Sequence, residues 1–452
     1  MHVLPAALIL LLAWSLFAFG GVYAWALTPI VAVSVCGAVI VRLTRARPRL
    51  TLDVWLLLTM FAGLLQLVPL PPSLRQLLAP HQAEYIARTS LLPEPDAWLS
   101  LSLAPGQWLF GAGALVAAIA VFCWTRDAFE SRGVRLLVRS VAWMGMAVSI
   151  LALVQPAFSA AGQIYGFWTP EASGAEPIGP IVSRNHFAAW IVLAWPLTVG
   201  YLVAHGRTHW TNRRVSRGVL VLSDTRAIWL ALAASLMVAS LLVTQSRAGT
   251  LGFLVAATTL GLLVWRRIGT AGRIGMVGFL VTVALAVSLW ASPAALLGRI
   301  EGAYSGADGG RPAIWDQTMV LVRTFPLAGI GLGTFDVVMP AYQTQSFDTL
   351  LNHAHNQYLH IQAEGGVLVV IPLGVSILLI VGTAIRRLRQ DSTPIIHVRH
   401  GAIAGLTGLA TLSVFEVPLL TPAVLLLAAV SAALAVRGPD TPPAPSVDEV
   451  NN

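Results

Sequence analysis

Long apolar runs recur along this chain with only short polar connections between most of them, and that recurrence dictates what it can fold into. A helix needs about 20 predominantly apolar residues to cross a bilayer, because its backbone polar groups find no partner in hydrocarbon. Runs of this kind fall near 4–24, 27–42, 52–70, 107–124, 134–154, 187–204, 226–243, 249–266, 274–291, 362–384, 401–417 and 419–436. They predict an all-α polytopic membrane protein with about twelve transmembrane helices. Charged residues make up only 11% of the chain, against roughly 25% in soluble domains. No aqueous linker interrupts the pattern, so residues 1–436 read as a single transmembrane domain. The first run lacks a basic leader and a small-residue cleavage site, so it reads as a span rather than a signal peptide. The Pro-rich polar tail 437–452 is expected to be a disordered cytoplasmic tail.

Orientation follows from the basic residues, all of which are Arg. Short cytoplasmic loops hold the excess of positive charge. All but seven of the 28 fall in the connections near 42–49, 126–139, 207–226, 266–273 and 386–399 or at Arg437, always on the same side. Both termini are therefore expected in the cytoplasm. The net charge of +8 is a consequence of topology, and a nucleic-acid partner has no support. Cys36 and Cys123 lie inside apolar runs and form neither a CxxC motif nor a disulfide framework.

The other seven are Arg75, Arg88, Arg184, Arg247, Arg299, Arg311 and Arg323, on the non-cytoplasmic side. Three connections there are long enough to hold structure: about 71–106, 155–186 and 292–361. Four stretches carry the reactive residue types: Ser183-Arg184-Asn185-His186; Thr244-Gln245-Ser246-Arg247-Ala248-Gly249; Arg311-Pro312-Ala313-Ile314-Trp315 with Pro326 to Gly333; and His353-Ala354-His355-Asn356-Gln357-Tyr358 with Glu364-Gly365-Gly366.

The spans after Ser183, Ser246 and His355 all run inward, so their N-termini face the same outer surface. Ser183 and Ser246 are suitable N-caps, each followed by Arg at the first helical position. Helix N-termini offer unpaired N–H groups and about half a positive charge, which suits an anion. Pro312 favours a helix start beside Arg311, predicting an amphipathic helix over 312–324 with Trp315, Met319 and Val322 on one face. Three guanidinium groups at a membrane surface suit a lipid-linked phosphate, because the planar fork binds phosphate oxygens bidentately. His355 is placed in or near the first turn of the tenth span, where a neutral imidazole could act as a general base on a hydroxyl.

Bland readings compete with each of these. Outer-loop Arg residues ordinarily contact lipid headgroups, and Arg75, Arg88, Arg299 and Arg323 are read that way. The His353-x-His355 pair could ligate a metal, but no carboxylate cluster nearby in the sequence completes a site. The Gly329–Gly333 run lacks a preceding strand and G-x-G-x-x-G spacing, so it reads as a turn. Glu364, just inside a span, should have a partner. Glu416 has a weaker case, and His186 and His360 read as packing or hydrogen-bonding residues.

Taken in order, these stretches resemble the O-antigen ligase and polymerase superfamily of bacterial membrane glycosyltransferases, most closely the O-antigen ligases. The likeness rests on Ser183 to His186, Ser246 to Gly249, the Arg311, Trp315, Pro326 and Gly329-x-Gly331 block, and His355-Asn356-x-Tyr358 with Glu364-x-Gly366. It covers roughly residues 180–380. Val68 to Pro72 and Leu101 to Pro105 also resemble segments seen in members. The resemblance implies a C-type glycosyltransferase fold in the bacterial inner membrane, acting at the periplasmic face on an undecaprenyl-diphosphate-linked glycan, with neither nucleotide sugar nor metal as cofactor. An acceptor hydroxyl would attack the reducing-end C1 with inversion and release undecaprenyl diphosphate. By the same resemblance, Arg184, Arg247 and Arg311 bind the diphosphate and His355 activates the acceptor. Asn185, His353, Asn356, Tyr358 and Glu364 are supporting candidates.

The acceptor stays open: lipid A core for a ligase, a second lipid-linked glycan for a polymerase, Ser or Thr for a protein O-oligosaccharyltransferase. A single chain holding the full motif set without an added soluble domain favours the ligase. A transporter of lipid-linked glycan is the rival from another class. Transporters place ionisable residues at the bilayer midplane, often in repeated halves; here the charges gather at one interface and the halves do not match.

Overall fold

A computed structural model describes residues 3–45, 51–90, 97–129, 131–159, 162–171, 175–210, 224–265, 310–344, 351–391 and 396–438, with isolated positions between 270 and 281 and at 393. Most of the expected ninth span 274–291, Arg299 and the tail beyond 438 lie outside the described residues. Those described form an all-α protein whose only β pairing is isolated bridges, such as Leu70 with Leu99.

The helices are α1 (Val3–Phe17), α2 (Ala24–Thr44), α3 (Thr51–Leu65), α4 (Pro72–Leu78), α5 (Gln82–Thr89), α6 (Ala114–Ala128), α7 (Ser131–Val154), α8 (Arg184–Trp210), α9 (Thr225–Val243), α10 (Arg247–Trp265), α11 (Gly310–Thr324), α12 (Phe335–Val338), α13 (Gln357–Gln390), α14 (Ile396–Leu412) and α15 (Pro422–Val436). Among the described residues 7 helical segments are long and apolar enough to cross a membrane, and α1, α3 and α15 are shorter apolar helices. This is a polytopic membrane architecture.

Several boundaries differ from the sequence expectation. The first run stops at Phe17, because Gly20 takes a φ of 72° and breaks the helix. The run 52–70 is helical only to Leu65, and 401–417 becomes Ile396–Leu412, ending before the loop that carries Glu416. The run 362–384 belongs to a 34-residue helix interrupted at Gly366, whose φ of 55° and ψ of −168° only glycine adopts readily. A Cβ on Gly366 would collide with the backbone of Leu327 and Gly329. The predicted turn over Gly329–Gly333 therefore packs into the break in α13. Gln66 fastens it there, donating to Ala328 O at 2.7 Å and Glu364 O at 3.0 Å while accepting from Leu332 N at 3.1 Å.

α8 is the central helix. Every residue from Phe187 to Thr198 is buried, as expected of a helix that is apolar all round. It packs against α7, α9, α10, α14 and α15. Small residues permit the closest of these contacts. Gly401 of α14 sits against the Pro196 backbone of α8, and Gly408 sits against Gly252 of α10, with no room for a side chain. Such approach lets van der Waals packing hold helices together where lipid supplies no hydrophobic drive. α13 lies at the periphery, with Ile371, Ile377 and Leu378 exposed as a lipid-facing helix requires.

At the end of the bundle that carries the Arg-rich connections, Arg126 is buried between two carboxylates. It bonds Asp127 through Nε and Nη2 at 2.8 and 2.9 Å and Asp53 through Nη1 at 2.5 Å, tying α6 to α3. Arg75 corrects its headgroup reading. It is buried and donates to Ala97 O at 2.8 Å, so it organises the 71–106 connection. Arg88 pairs with Glu84 on the surface of α5.

Candidate active site

The site is built where three helix starts meet the loop after α14. α8 and α10 begin side by side, since Gly249 abuts Ala188. Ser246 caps α10 by accepting from Gly249 N at 3.0 Å, and the preceding Gln245 turns the chain with a φ of 56°. That local geometry puts Arg184 and Arg247 at the first positions of their helices, as the Ser-Arg spacing predicts. Arg247 is exposed.

His355 lies just ahead of the first turn, within the expectation of a place in or near it. Asn356 is the N-cap of α13 and accepts from Tyr358 N at 3.0 Å and Leu359 N at 3.1 Å. Asn is among the best N-caps, so it starts the helix one residue later and leaves His355 on the connection, with a φ of 47°. A left-handed backbone at a non-glycine residue costs about 1–3 kcal/mol and persists only where the surroundings fix it. The surroundings here include Trp315 of α11, whose Nε1 donates to His355 O at 3.4 Å.

The acid that gathers the site is Glu416, given little weight from sequence. Its side chain is 2% exposed. Oε1 accepts from Arg311 Nη2 and, at 2.8 Å, from Asn185 Nδ2; Oε2 lies 3.3 Å from His355 Nδ1. Burial raises the carboxyl pKa, but His355, Arg311 and His186 outweigh it and hold Glu416 below its ordinary value. Its own backbone is fixed by the start of α13, where Gln357 N donates to Ser413 O and Glu416 O at 2.9 and 3.1 Å. Thus α8, α11 and the connection before α13 each supply one side-chain partner to the acid on the loop after α14.

The remaining candidates divide. His353 packs its ring 4.2 Å from that of His355, and burial holds it well below the usual histidine pKa, which keeps it neutral. Tyr358 points away and donates to Ala410 O at 2.8 Å. Glu364 is not a member of the cluster. It accepts from Phe335 N at 3.0 Å and lies 3.5 Å from His360, so it braces the Gly329–Gly333 turn. Arg184 Nε lies 2.6 Å from Glu176 Oε2, an ionic contact at a half-exposed position. His186 bonds Thr421 Oγ1 at 2.6 Å. In α11 the buried stripe is Gln317, Thr318 and Leu321, and Trp315 and Met319 flank it.

His353, His355 and Glu416 bring three ligand-type atoms within 4.8 Å of one another, which overturns the expectation that no carboxylate completes that pair. A cation fits poorly there, because the Arg311 guanidinium already holds Oε1 of Glu416 and would stand beside it.

Residues 232–374 match the family model described as O-antigen ligase. That match supports a relation to the O-antigen ligase and polymerase superfamily. The matched stretch includes Arg247, Arg311 and His355, while Asn185 and Glu416 join the cluster from outside it and Arg184, also outside, contacts Glu176. No curated protein matches the chain. The O-antigen ligase match supports a glycosyltransferase-like enzyme of ligase or polymerase type, acting in a membrane on a lipid-linked glycan and an acceptor.

Proposed function

We propose that this protein transfers glycan from undecaprenyl diphosphate to an acceptor hydroxyl at the periplasmic face of the inner membrane. The preferred acceptor is lipid A core, which makes the reaction a ligation in lipopolysaccharide assembly. The observation that carries this reading is the buried carboxylate of Glu416, which holds His355 and Arg311 from opposite oxygens.

With Nδ1 of His355 turned to Glu416, Nε2 is the nitrogen left for the acceptor. The acceptor oxygen attacks C1 of the glycan as its proton passes to His355 Nε2, and the C1–O bond to the diphosphate breaks with inversion. Glu416 stabilises the imidazolium that results. Arg184 and Arg247, at adjoining helix starts, receive the charge that grows on the departing diphosphate. Arg311 has N–H groups beyond the one given to Glu416 and serves the same anion. Asn185 acts through Glu416 as a positioning residue. No step calls for a metal.

The test is purified protein with a lipid-linked glycan and, in separate reactions, lipid A core, a second lipid-linked glycan or a Ser/Thr peptide. Transfer to lipid A core is expected. Chain extension alone would replace ligation with polymerisation, and absence of transfer to any acceptor would remove the enzymatic reading.

A further inference from the structure

At the end of the bundle bearing the Arg-rich connections, α7, α8 and α9 enclose a groove lined by Arg139, Trp143, Tyr201, Arg226 and Trp229. α9 runs from Thr225 to Val243 before the chain turns to Arg247, so at 1.5 Å per residue Arg226 in this groove stands about 26 Å from the end of α9 that leads to the candidate active site.

Its residues are graded by depth. α7 and α9 both lead away from this end. Arg139 precedes Trp143 by one turn on α7, and Arg226 precedes Trp229 likewise on α9, so both guanidinium groups stand nearer the membrane surface than both indoles. The indole centroids are 5.8 Å apart at 42°, and each ring is nearly half exposed. Leu230 and two alanines complete the apolar side of the groove.

Among the described residues no ion pair joins Arg139 or Arg226 to a carboxylate. Asp224, close in sequence, is engaged elsewhere. Its Oδ2 lies 2.8 Å from His205 Nε2, and Oδ1 caps α9 through the N–H groups of Arg226 and Ala227. Two positive charges without a neutralising acid among the described residues, set above two indoles, match the polarity gradient of a phospholipid. Tryptophan favours headgroup depth, and basic pockets between membrane helices suit anionic headgroups.

We propose that this groove binds the headgroup phosphate of an anionic phospholipid between Arg139 and Arg226, with the glycerol region against Trp143 and Trp229. The site is separate from the one that handles glycan. A free phosphate would use the two guanidinium groups and leave the indoles and apolar wall without a role.

The full-length protein in detergent, titrated with phosphatidylglycerol, phosphatidylcholine or inorganic phosphate and read by native mass spectrometry, tests this. Phosphatidylglycerol should be retained in preference to phosphatidylcholine, and millimolar phosphate should not displace it. The double substitution R139Q/R226Q should weaken phosphatidylglycerol retention by about tenfold or more, and R139K/R226K should restore part of it. Equal retention of the two lipids by the unmodified protein would overturn the proposal without any variant. So would displacement by phosphate, or wild-type retention in a folded R139Q/R226Q protein.

Discussion

Oε2 of Glu416 lies 3.3 Å from Nδ1 of His355, while the other oxygen of the same buried carboxylate takes Arg311 and Asn185. One acid thereby sets the orientation of the proposed base and of a proposed anion-binding Arg together. Substitution Glu416→Gln keeps the shape and removes the charge. It should lower the rate of transfer by about 10²-fold or more, within the range for loss of general-base function, with donor KM changing far less than kcat. Equal losses in kcat and in donor affinity would assign Glu416 to the diphosphate site instead.

The pKa of Glu416 gives a stability test whose sign is fixed. Its carboxyl titrates below the ordinary value of 4.5 in the folded protein, so its contribution is complete above 4.5 and is lost as pH falls through the folded value. The melting temperature of the wild type should exceed that of Glu416→Gln at neutral pH, and the gap should close on acidification below 4.5. A gap independent of pH would mean that the charge is not what stabilises.

His353 is half-buried and neutral, with desolvation holding its pKa well below 6.5. Unfolding would let it take up a proton, so it destabilises the fold as pH drops below 6.5. A His353→Gln protein should melt with less dependence on pH between 6.5 and 5 and keep its transfer rate within about tenfold, as expected of a neighbour rather than the base. EDTA should leave the wild-type rate unchanged. A rate restored only by added zinc would instead make the His353, His355 and Glu416 group a metal centre.

Glu176 stands 2.6 Å from Arg184 where a donor phosphate would compete for the same guanidinium. The pair is half exposed and therefore weak, worth about 0.2–1 kcal/mol. Glu176→Gln should lower the donor KM by up to about fivefold and leave kcat unchanged, measured by steady-state transfer. A rise in KM would show that Glu176 helps to place Arg184.

Local signals in the sequence carried far and then stopped at long-range contacts. Ser183 and Ser246 identify the helix starts at Arg184 and Arg247 because capping acts within one turn. The same logic applied to Asn356 sets His355 just ahead of α13, so that signal was present. Glu416 was not legible, since its partners are 231, 105 and 61 residues away. Arg75 was misread because the carbonyl it binds, Ala97, belongs to a connection whose fold the sequence does not display. The short α1 and α3 follow from glycine and turn chemistry at Gly20 and after Leu65, which hydropathy alone overrides.

The glycine contacts of α14 should matter to the site as well as to stability. Gly401 has no room beside the Pro196 backbone, and over-packing such a contact costs about 1–3 kcal/mol. Gly401→Ala should lower the melting temperature in detergent. Because α14 sets where Glu416 stands, transfer should fall even at temperatures where the variant remains folded. Full activity in a destabilised variant would separate the packing of α14 from the placement of Glu416.

The most direct test of the central claim is single-turnover transfer by His355→Ala, measured beside binding of the lipid-linked donor. The account predicts a rate lower by about 10²- to 10⁴-fold with donor binding retained through Arg184 and Arg247. Transfer at a near-normal rate with donor bound would contradict it.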